Sequence, residues 1–588
     1  MDTNQQNISE NIGNEETKTQ KEIVDALFLE RDNYQQATAN NRTELNEIHS
    51  AFMGQIDDVK DKSKSQEKIM KLRTEVNYIV PSIFSGSPEL ECTPIGEEDK
   101  DLAYVGEKII NHDLNNIPQA YEIIEAWVKQ SVVFGTSILK VVWKMILEDN
   151  GDGTKTPVSD EPALELPNIV DCFYNPIISD VESQASLIFR TVLPISEVKD
   201  NPMYDIVNED GTLIREKIAE KGTPGANQYD SSRQVSSDKI NEQKASIGTI
   251  EIYDRVTDEG IQTVCDGKER LLLRDAKWEY DSKCSVKLIH EPADIPNRFD
   301  GLGVGHNTLG LSRMIQKLSN KLQDTVNMGN NPHFLGRKGA GIDKKQLVIT
   351  AGGLTEVDGE GALQDQIQPL QVPDIKNGAL ELLNRFDDEH KRASGANDLI
   401  QGSASNKTLG QDQIASTYSS NRFELVNRRF KEALADVGRI ILMMRIQNIQ
   451  SIDDPILKIF PLEAEITDAG QIKYSRETVY QMLIAARQNK DLKFNIKVKG
   501  ETNIAKNKQY TLKEFNEWLD RFLPLLPPQN QMECGKKWLE MAGIGEVDKL
   551  IPDMTQNPGV DPMTGQPIQQ MPQGTAQTGM PPELFNYS

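Results

Sequence analysis

Apolar residues recur at three- and four-residue steps along some stretches of this chain and alternate with polar ones along others. Residues 21–77 follow the helical period with breaks near 37–42 and 55–65. A third helix in that stretch is expected to end at Val80, because Pro81 disfavours helical geometry in the residue before it. Helical patterning over 98–115 and 121–133 leads into FGTSILKVVWKMIL, whose β-branched and aromatic side chains signal a strand. The DNGDG that follows reads as a hairpin turn. Between 248 and 286 the segments IEIYDRV, IQTVC, RLLLRD, WEYD and SVKLIH, separated by DEG and DG turns, predict an antiparallel meander.

The pattern changes after Pro296. From Thr308 to Asn330, Leu311, Met314, Ile315, Leu318, Leu322 and Val326 fall on one side and Gln316, Lys317, Asn320, Lys321 and Asp324 on the other. That is a helix about 35 Å long at 1.5 Å per residue. Pro332 then interrupts a glycine-rich segment with short strands (HFLGRKGAG, QLVITAGG, IQPLQV), and a second helix, capped at Asp374 or Asn377, runs towards Lys391. Two helices thus flank a compact β-containing insertion. The Gly, Ser and Asn of SGANDLIQGSASNKTLG favour a loop. A very long helix follows, with Ile414, Tyr418, Val426, Phe430, Leu434, Val437, Ile441 and Met444 on its apolar face. After Asp453 a strand is expected in KFNIKVKG, with helices around 477–488 and 512–541. Residues 1–19 are polar and acidic, and 555–588 holds six prolines, six glutamines and four glycines, so neither end offers much to a core. The fold class is α+β, without an internal repeat.

Composition narrows the function classes. At about 150 residues per domain, the 588 residues suffice for roughly four units. Acidic residues outnumber basic ones by 90 to 65, and a net charge of −25 argues against a surface that condenses as a whole onto nucleic acid or anionic membrane. Cys92, Cys172, Cys265, Cys284 and Cys534 show no CxxC spacing and read as reduced, buried thiols. The first residues lack the basic flank and apolar core of a signal peptide, and no apolar run approaches a membrane span; a cytoplasmic site of synthesis and assembly is expected.

The sequence carries little recognisable chemistry. The DNGDG turn resembles a calcium loop starting at Asp149, but Gly151, Thr154 and Asp160 stand where the ligand at its third position, the glycine at its sixth and the glutamate at its twelfth should be. In GLGVGHNTLG neither Gly301 nor Gly303 starts a GxGxxG, which leaves a bend at a helix entry. GSASNKT (402–408) lacks the glycine before lysine that a phosphate loop needs. The six histidines form no metal-ligand pairs, and the carboxylates of Asp387, Asp388 and Glu389 read as a solvated face. No catalytic, cofactor-binding or metal residue is assigned. Local basicity remains at Arg337, Lys338, Lys344 and Lys345, and along the long helix at Arg422, Arg428, Arg429, Lys431, Arg439 and Arg445, where pairing with Glu424, Glu432 and Asp436 or with a neighbouring subunit is expected.

The order of these parts resembles the portal proteins of tailed bacteriophages, most of all those of short-tailed phages, over much of residues 21–541. The resemblance is carried by EVNYIVPSIFSGSPELECTPIGEEDKDLA, VVFGTSILKVVW, DCFYNPIISD, and the helix, insertion, helix, loop and long-helix succession from 303 to 449. It implies an N-terminal arm and wing over 1–300, stem helices in 301–331 and 373–393, a clip over 332–372 and a tunnel loop over 394–410. A long wing helix over 411–450, a returning strand region over 451–510, a small crown over 511–551 and a tail over 552–588 would follow. It further implies a dodecameric ring at one capsid vertex that conducts double-stranded DNA in packaging and ejection. The partners would be terminase, head-to-tail adaptor or tail proteins, major capsid protein and scaffolding protein, with no membrane and no cofactor. Ser394, Gly395, Asn397, Gly402, Ser403, Ser405, Asn406 and Lys407 would face DNA, and Arg337, Lys338, Lys344 and Lys345 would dock partners. Such a protein is not an enzyme. Acidic character suits a conduit, since each phosphate neutralised by a cation adds affinity and would slow sliding. Another virion structural protein, or a DNA-packaging or DNA-processing enzyme, is the alternative; the enzyme needs a phosphate loop or a carboxylate-metal site that the sequence does not supply.

Overall fold

The computed structural model describes residues 20–55, 65–84, 88–149, 155–207, 212–218, 249–267, 269–277, 282–294, 298–330, 334–336, 367–369, 377–396, 409–462, 465–466, 472–489, 494–499, 521 and 534. The chain divides into two compact units, Met1–Thr502 and Asn503–Ser588, and the elements below all belong to the first. Its helices are α1 (Gln20–Ala37), α2 (Ala39–Phe52), α3 (Lys71–Ile83), α4 (Lys100–Asn116), α5 (Ala120–Phe134), α6 (Ile195–Asp200), α7 (Val304–Asn330), α8 (Asn377–Ser394), α9 (Leu409–Asn448) and α10 (Arg476–Asn489). Its strands are β1 (Glu89–Pro94), β2 (Thr136–Asp149), β3 (Lys155–Glu165), β4 (Cys172–Phe173), β5 (Leu187–Pro194), β6 (Thr249–Val256), β7 (Gly260–Asp266), β8 (Arg270–Lys277), β9 (Ser285–Ile289), β10 (Glu291–Pro292), β11 (Gly301–Leu302), β12 (Phe334–Gly336), β13 (Ile367–Pro369), β14 (Glu465–Ile466), β15 (Ile472–Lys473) and β16 (Phe494–Lys499). Helix and sheet are mixed, as the α+β expectation holds.

The expected meander exists as an antiparallel sheet in the order β4-β5-β6-β7-β8. Side chains alternate across a strand, so consecutive residues serve opposite faces. Val264 packs with Leu27 and Phe28 of α1, together with Tyr253 and Leu272, whereas Cys265 packs with Val198 of α6, Ile214, Ile250, Ile252 and Leu273 on the other side. SVKLIH does not belong to this sheet. It forms β9, which pairs with Thr136–Lys140 of β2 in a separate sheet ordered β3-β2-β9. Alternation told which side chains of β9 are buried but not which strand edge was open to it, and the long β2 offers one. β2 and β3 pair from Lys140↔Glu165 to Asp149↔Lys155, the hairpin expected around DNGDG.

The main core gathers α3, α4, α5 and α9 against β1, β2, β9 and β16. Val426, Phe430, Leu434, Val437, Ile441 and Met444 of α9 are all buried there, the face expected from the sequence. Phe430 meets Phe84 and Trp127 edge-on, with ring centroids 5.6 and 6.2 Å apart. β1 pairs with β16, far along the chain, placing Leu90 and Cys92 opposite Val498 and Ile496. Helix α3 continues to Ile83 instead of ending at Val80, with Pro81 inside its last turn. The ring removes one donor, which leaves only the carbonyl of exposed Asn77 without its helical partner, while Val80 and Ile83 hold the turn in the core. Cys92, Cys172, Cys265 and Cys284 are buried thiols in no disulfide, whereas Cys534, expected to be buried with them, is half-buried. Burial pushes the Cys92 thiol up to about 12 and that of Cys265 to about 11, so neither is reactive at neutral pH.

The arginines of α9 are mostly spoken for. Arg428 pairs with Glu432 at 3.0 Å and Arg439 with Asp436 at 3.4 Å, as expected from spacing. Arg429 donates to the carbonyl of His290 at 2.6 Å. Arg445 instead reaches α4, where its Nε and a terminal nitrogen grip the two oxygens of buried Asp113 at 2.7 and 2.9 Å. The side chain of Arg422 lies outside the described residues.

Candidate functional site

Helices α7 and α8 form a hairpin whose far ends lead into the paired strands β12 and β13, with Phe334 opposite Pro369. Its root is a corner built from glycine. Gly135 ends α5 at φ +81° and Gly301, Gly303 and Gly305 precede or open α7. The Gly301 N–H donates to Thr136 Oγ1 at 2.7 Å and the His290 N–H to the Gly135 carbonyl at 2.9 Å. A Cβ at Gly303 would lie 2.5 Å from Gly135 N and 2.6 Å from the Val133 carbonyl, so backbone touches backbone here. The glycines of GLGVGHNTLG therefore serve a helix entry, as read from the sequence. The Gly303 N–H donates to His306 Nδ1 at 3.1 Å, and burial pushes the His306 imidazole below its usual range, which favours the neutral ring that accepts this bond.

Of the side of α7 assigned as polar, Lys317 and Lys321 are exposed, but the other three residues are not left to solvent. Gln316, Asn320 and Asp324 accept the backbone N–H groups of Ile69 (3.0 Å), Glu67 (3.2 Å) and Ser65 (2.7 Å). The Gln316 amide also donates to the Glu67 carbonyl. Four helical residues rise about 6 Å and two extended residues span about 6.6 Å, so side chains at i, i+4 and i+8 can match every second N–H of a strand. Residues 65–70 are thus strapped along the helix. The expected apolar stripe is correspondingly less buried than α9's: Ile315 is buried, whereas Met314 and Val326 are exposed. Replacing Gln316 and Asp324 by Ala together is expected to release the strap. At about 1 kcal/mol per lost bond, trypsin cleavage after Lys68 should accelerate roughly tenfold or more, with helix content unchanged by circular dichroism. Cleavage at the parent rate would show that the ladder does not hold the segment.

A buried relay fastens the hairpin to α3. Ser312 Oγ lies 2.7 Å from His390 Nε2, and His390 Nδ1 lies 2.9 Å from Glu75 Oε2. Beside it Lys71 pairs with Asp387 at 2.5 Å, so Asp387 is not the solvated charge expected of it. The order serine, histidine, carboxylate is that of a hydrolase relay. Burial argues against that use: Ser312 is 5% exposed, and His390 and Glu75 0%. The relay ties α7, α8 and α3 together. Its sequence signal was Glu75, a carboxylate among Leu72, Val76 and Ile79 on an apolar helix face, whose partner stands more than 300 residues away.

Of the residues expected to face DNA, Ser394 is the last residue of α8 and is buried, its hydroxyl accepting the Ala396 N–H at 3.2 Å. Gly395, at φ +83°, donates to the Lys391 carbonyl at 3.0 Å and closes the helix. These two form a cap and not a projecting loop. Asn397, Gly402, Ser403, Ser405, Asn406 and Lys407 lie outside the described residues, as do Arg337, Lys338, Lys344 and Lys345. The phosphate-loop mimic at 402–408 and the helix expected at 512–541 also fall there, save the single residues 521 and 534. Among the described residues no group of three or more His, Cys, Asp or Glu could hold a metal ion, and no helix is long and apolar enough to cross a membrane.

Comparison with known proteins gives one family. Residues 196–454, which take in α6, strands β6–β8 of the meander, the hairpin and α9, match the family described as phage SU10 portal protein. No curated protein matches the chain.

Proposed function

Proceeding from this likeness to a tailed-phage portal protein, we propose that the chain is the portal subunit of a virion, assembling as a dodecameric ring at one capsid vertex. The observation that carries the reading is that the family match, over residues 196–454, spans the α7–α8 hairpin and α9. In this reading α7 and α8 are the stem, residues 332–372 the clip, α9 the long wing helix and residues 511–551 the crown. Arg337, Lys338, Lys344 and Lys345 present the clip to terminase during packaging and afterwards to adaptor or tail proteins. Major capsid and scaffolding proteins meet the outer wall. With Ser394 and Gly395 capping α8, DNA contact falls to 397–407, where Lys407 and Asp398 leave no net charge and the contact is steric.

The physics of the described residues fits a conduit. A stem must keep its direction while DNA is driven past it, and this hairpin is fixed at its root by backbone contact at Gly303, by the relay to Glu75 and by the strap of 65–70. The chain's charge of −25 disfavours tight binding of phosphates along the passage. The work of translocation comes from the docked motor.

Assembly is the test. Electron microscopy and native mass spectrometry of the purified full chain are expected to show closed rings of roughly dodecameric mass, the outcome of head-to-tail contacts whose rotation closes. A monodisperse monomer at high concentration, in low and high salt alike, sinks the reading.

A further inference from the structure

The α7–α8 hairpin carries opposite charge on its two outer flanks. Around α7, Ser312 turns to α8, and Gln316, Asn320 and Asp324 turn to the strap. The remaining arc holds Gly310, Met314, Lys317 and Lys321 at three- and four-residue steps, all exposed, with Met314 at 51%. On α8, His390 turns inward, and the opposite arc holds Glu381, Asn384 and Asp388, again exposed and again at three- and four-residue steps. Leu380 and Leu382, 48% and 40% exposed, stand on either side of Glu381. Arg385 on this flank pairs with Glu389 at 2.9 Å, and Arg392 stands beyond it towards the wing end of the helix; on the α7 flank Lys317 likewise has an interaction within its own chain, so Lys321 carries most of the complementarity.

The heights agree as well as the signs. Ser312 and His390 meet in an antiparallel pair, so they mark a common level. Nine residues outward from that level on each helix stand Lys321 and Glu381, about 13.5 Å along the axis in both cases. Lys317 and Asp388 differ by three residues, about 4.5 Å, which a lysine side chain spans. In an assembly related by rotation about an axis along the hairpin, the same level on one copy faces the same level on the next.

We propose that the Lys317–Lys321 flank of α7 in one copy docks on the Glu381–Asp388 flank of α8 in the next, with Met314, Leu380 and Leu382 supplying apolar contact between the charges. The proposal rests on the ring reading and goes beyond it by naming the two faces. Charge also fixes the type of contact. Pairing about a two-fold axis would set lysine against lysine or carboxylate against carboxylate, whereas head-to-tail contact sets each against its opposite, and only that contact builds rings.

Three variants of the full chain test it: K317E with K321E, E381K with D388K, and all four together. The sites are exposed, and circular dichroism checks that each variant folds like the parent. Each double variant is expected to raise the concentration for half-assembly about tenfold or more in native mass spectrometry, and the fourfold variant to recover rings. Rings of both double variants at the parent concentration overturn the proposal while leaving the ring reading intact. Failure of the fourfold variant to recover overturns the pairing of these two flanks. A parent chain that never assembles overturns the ring reading, and this proposal with it.

Discussion

Replacing Arg445 by Ala is expected to lower the stability of the first unit by about 3–5 kcal/mol, the usual consequence of removing one partner from a buried ion pair. The cause is what remains, not only what is lost. Asp113 is 2% exposed and accepts its two short bonds from Arg445, so the truncated variant holds a buried carboxylate whose remaining side-chain neighbour is the His112 imidazole at 3.5 Å. The guanidinium also lies 5.3 Å from the Trp143 ring centroid and joins α9 to both α4 and β2. Replacing both partners, Arg445 by Met and Asp113 by Leu, removes the charges together and should recover most of the loss. Urea denaturation of the three chains is the measurement. A loss under about 1 kcal/mol for the single variant would place this pair with surface ion pairs and contradict its burial.

How much of this was legible in the sequence depends on what each element packs against. α9 lies in the main core, and its apolar positions Val426, Phe430, Leu434 and Val437 were read correctly because one face meets protein along that stretch. α7 has three different surroundings, the relay, the strap and solvent. Its pattern gave the helix but misplaced the burial of Met314 and Gln316, since an amide satisfied by backbone can be buried and a methionine on an outer flank can be exposed. Strand β9 was legible as a strand and not as a neighbour of β2, and nothing local could have paired β1 with β16. The relay was invisible for the same reason: Glu75, Ser312 and His390 become a unit only once three helices converge. The family likeness, by contrast, was readable from the order of the parts, because order survives where single positions carry little information.

A large effect from a single added methyl is expected at Gly303. Gly303→Ala places one methyl 2.5 Å from Gly135 N, 2.6 Å from the Val133 carbonyl and 2.7 Å from the Val132 carbonyl. All three are backbone atoms at the corner of α5 and β2, so no side chain can swing aside and the corner itself must open. Overpacking of this kind costs about 1–3 kcal/mol or more. The same substitution seven residues on has the opposite sign. Gly310 lies within α7 with nothing inside 4 Å of an added Cβ, and Ala in place of Gly in a helix interior gains about 1 kcal/mol. Thermal unfolding of dilute protein should therefore show a lowered midpoint for Gly303→Ala and an equal or raised one for Gly310→Ala. The two variants also separate stability from geometry. Because Gly303 sets the direction in which α7 leaves the core, its variant should form fewer closed rings even below its unfolding temperature, counted by electron microscopy. Equal midpoints and equal ring counts for the two variants would mean that the corner is looser than its backbone contacts require, and that the hairpin takes its direction from the relay and the strap instead.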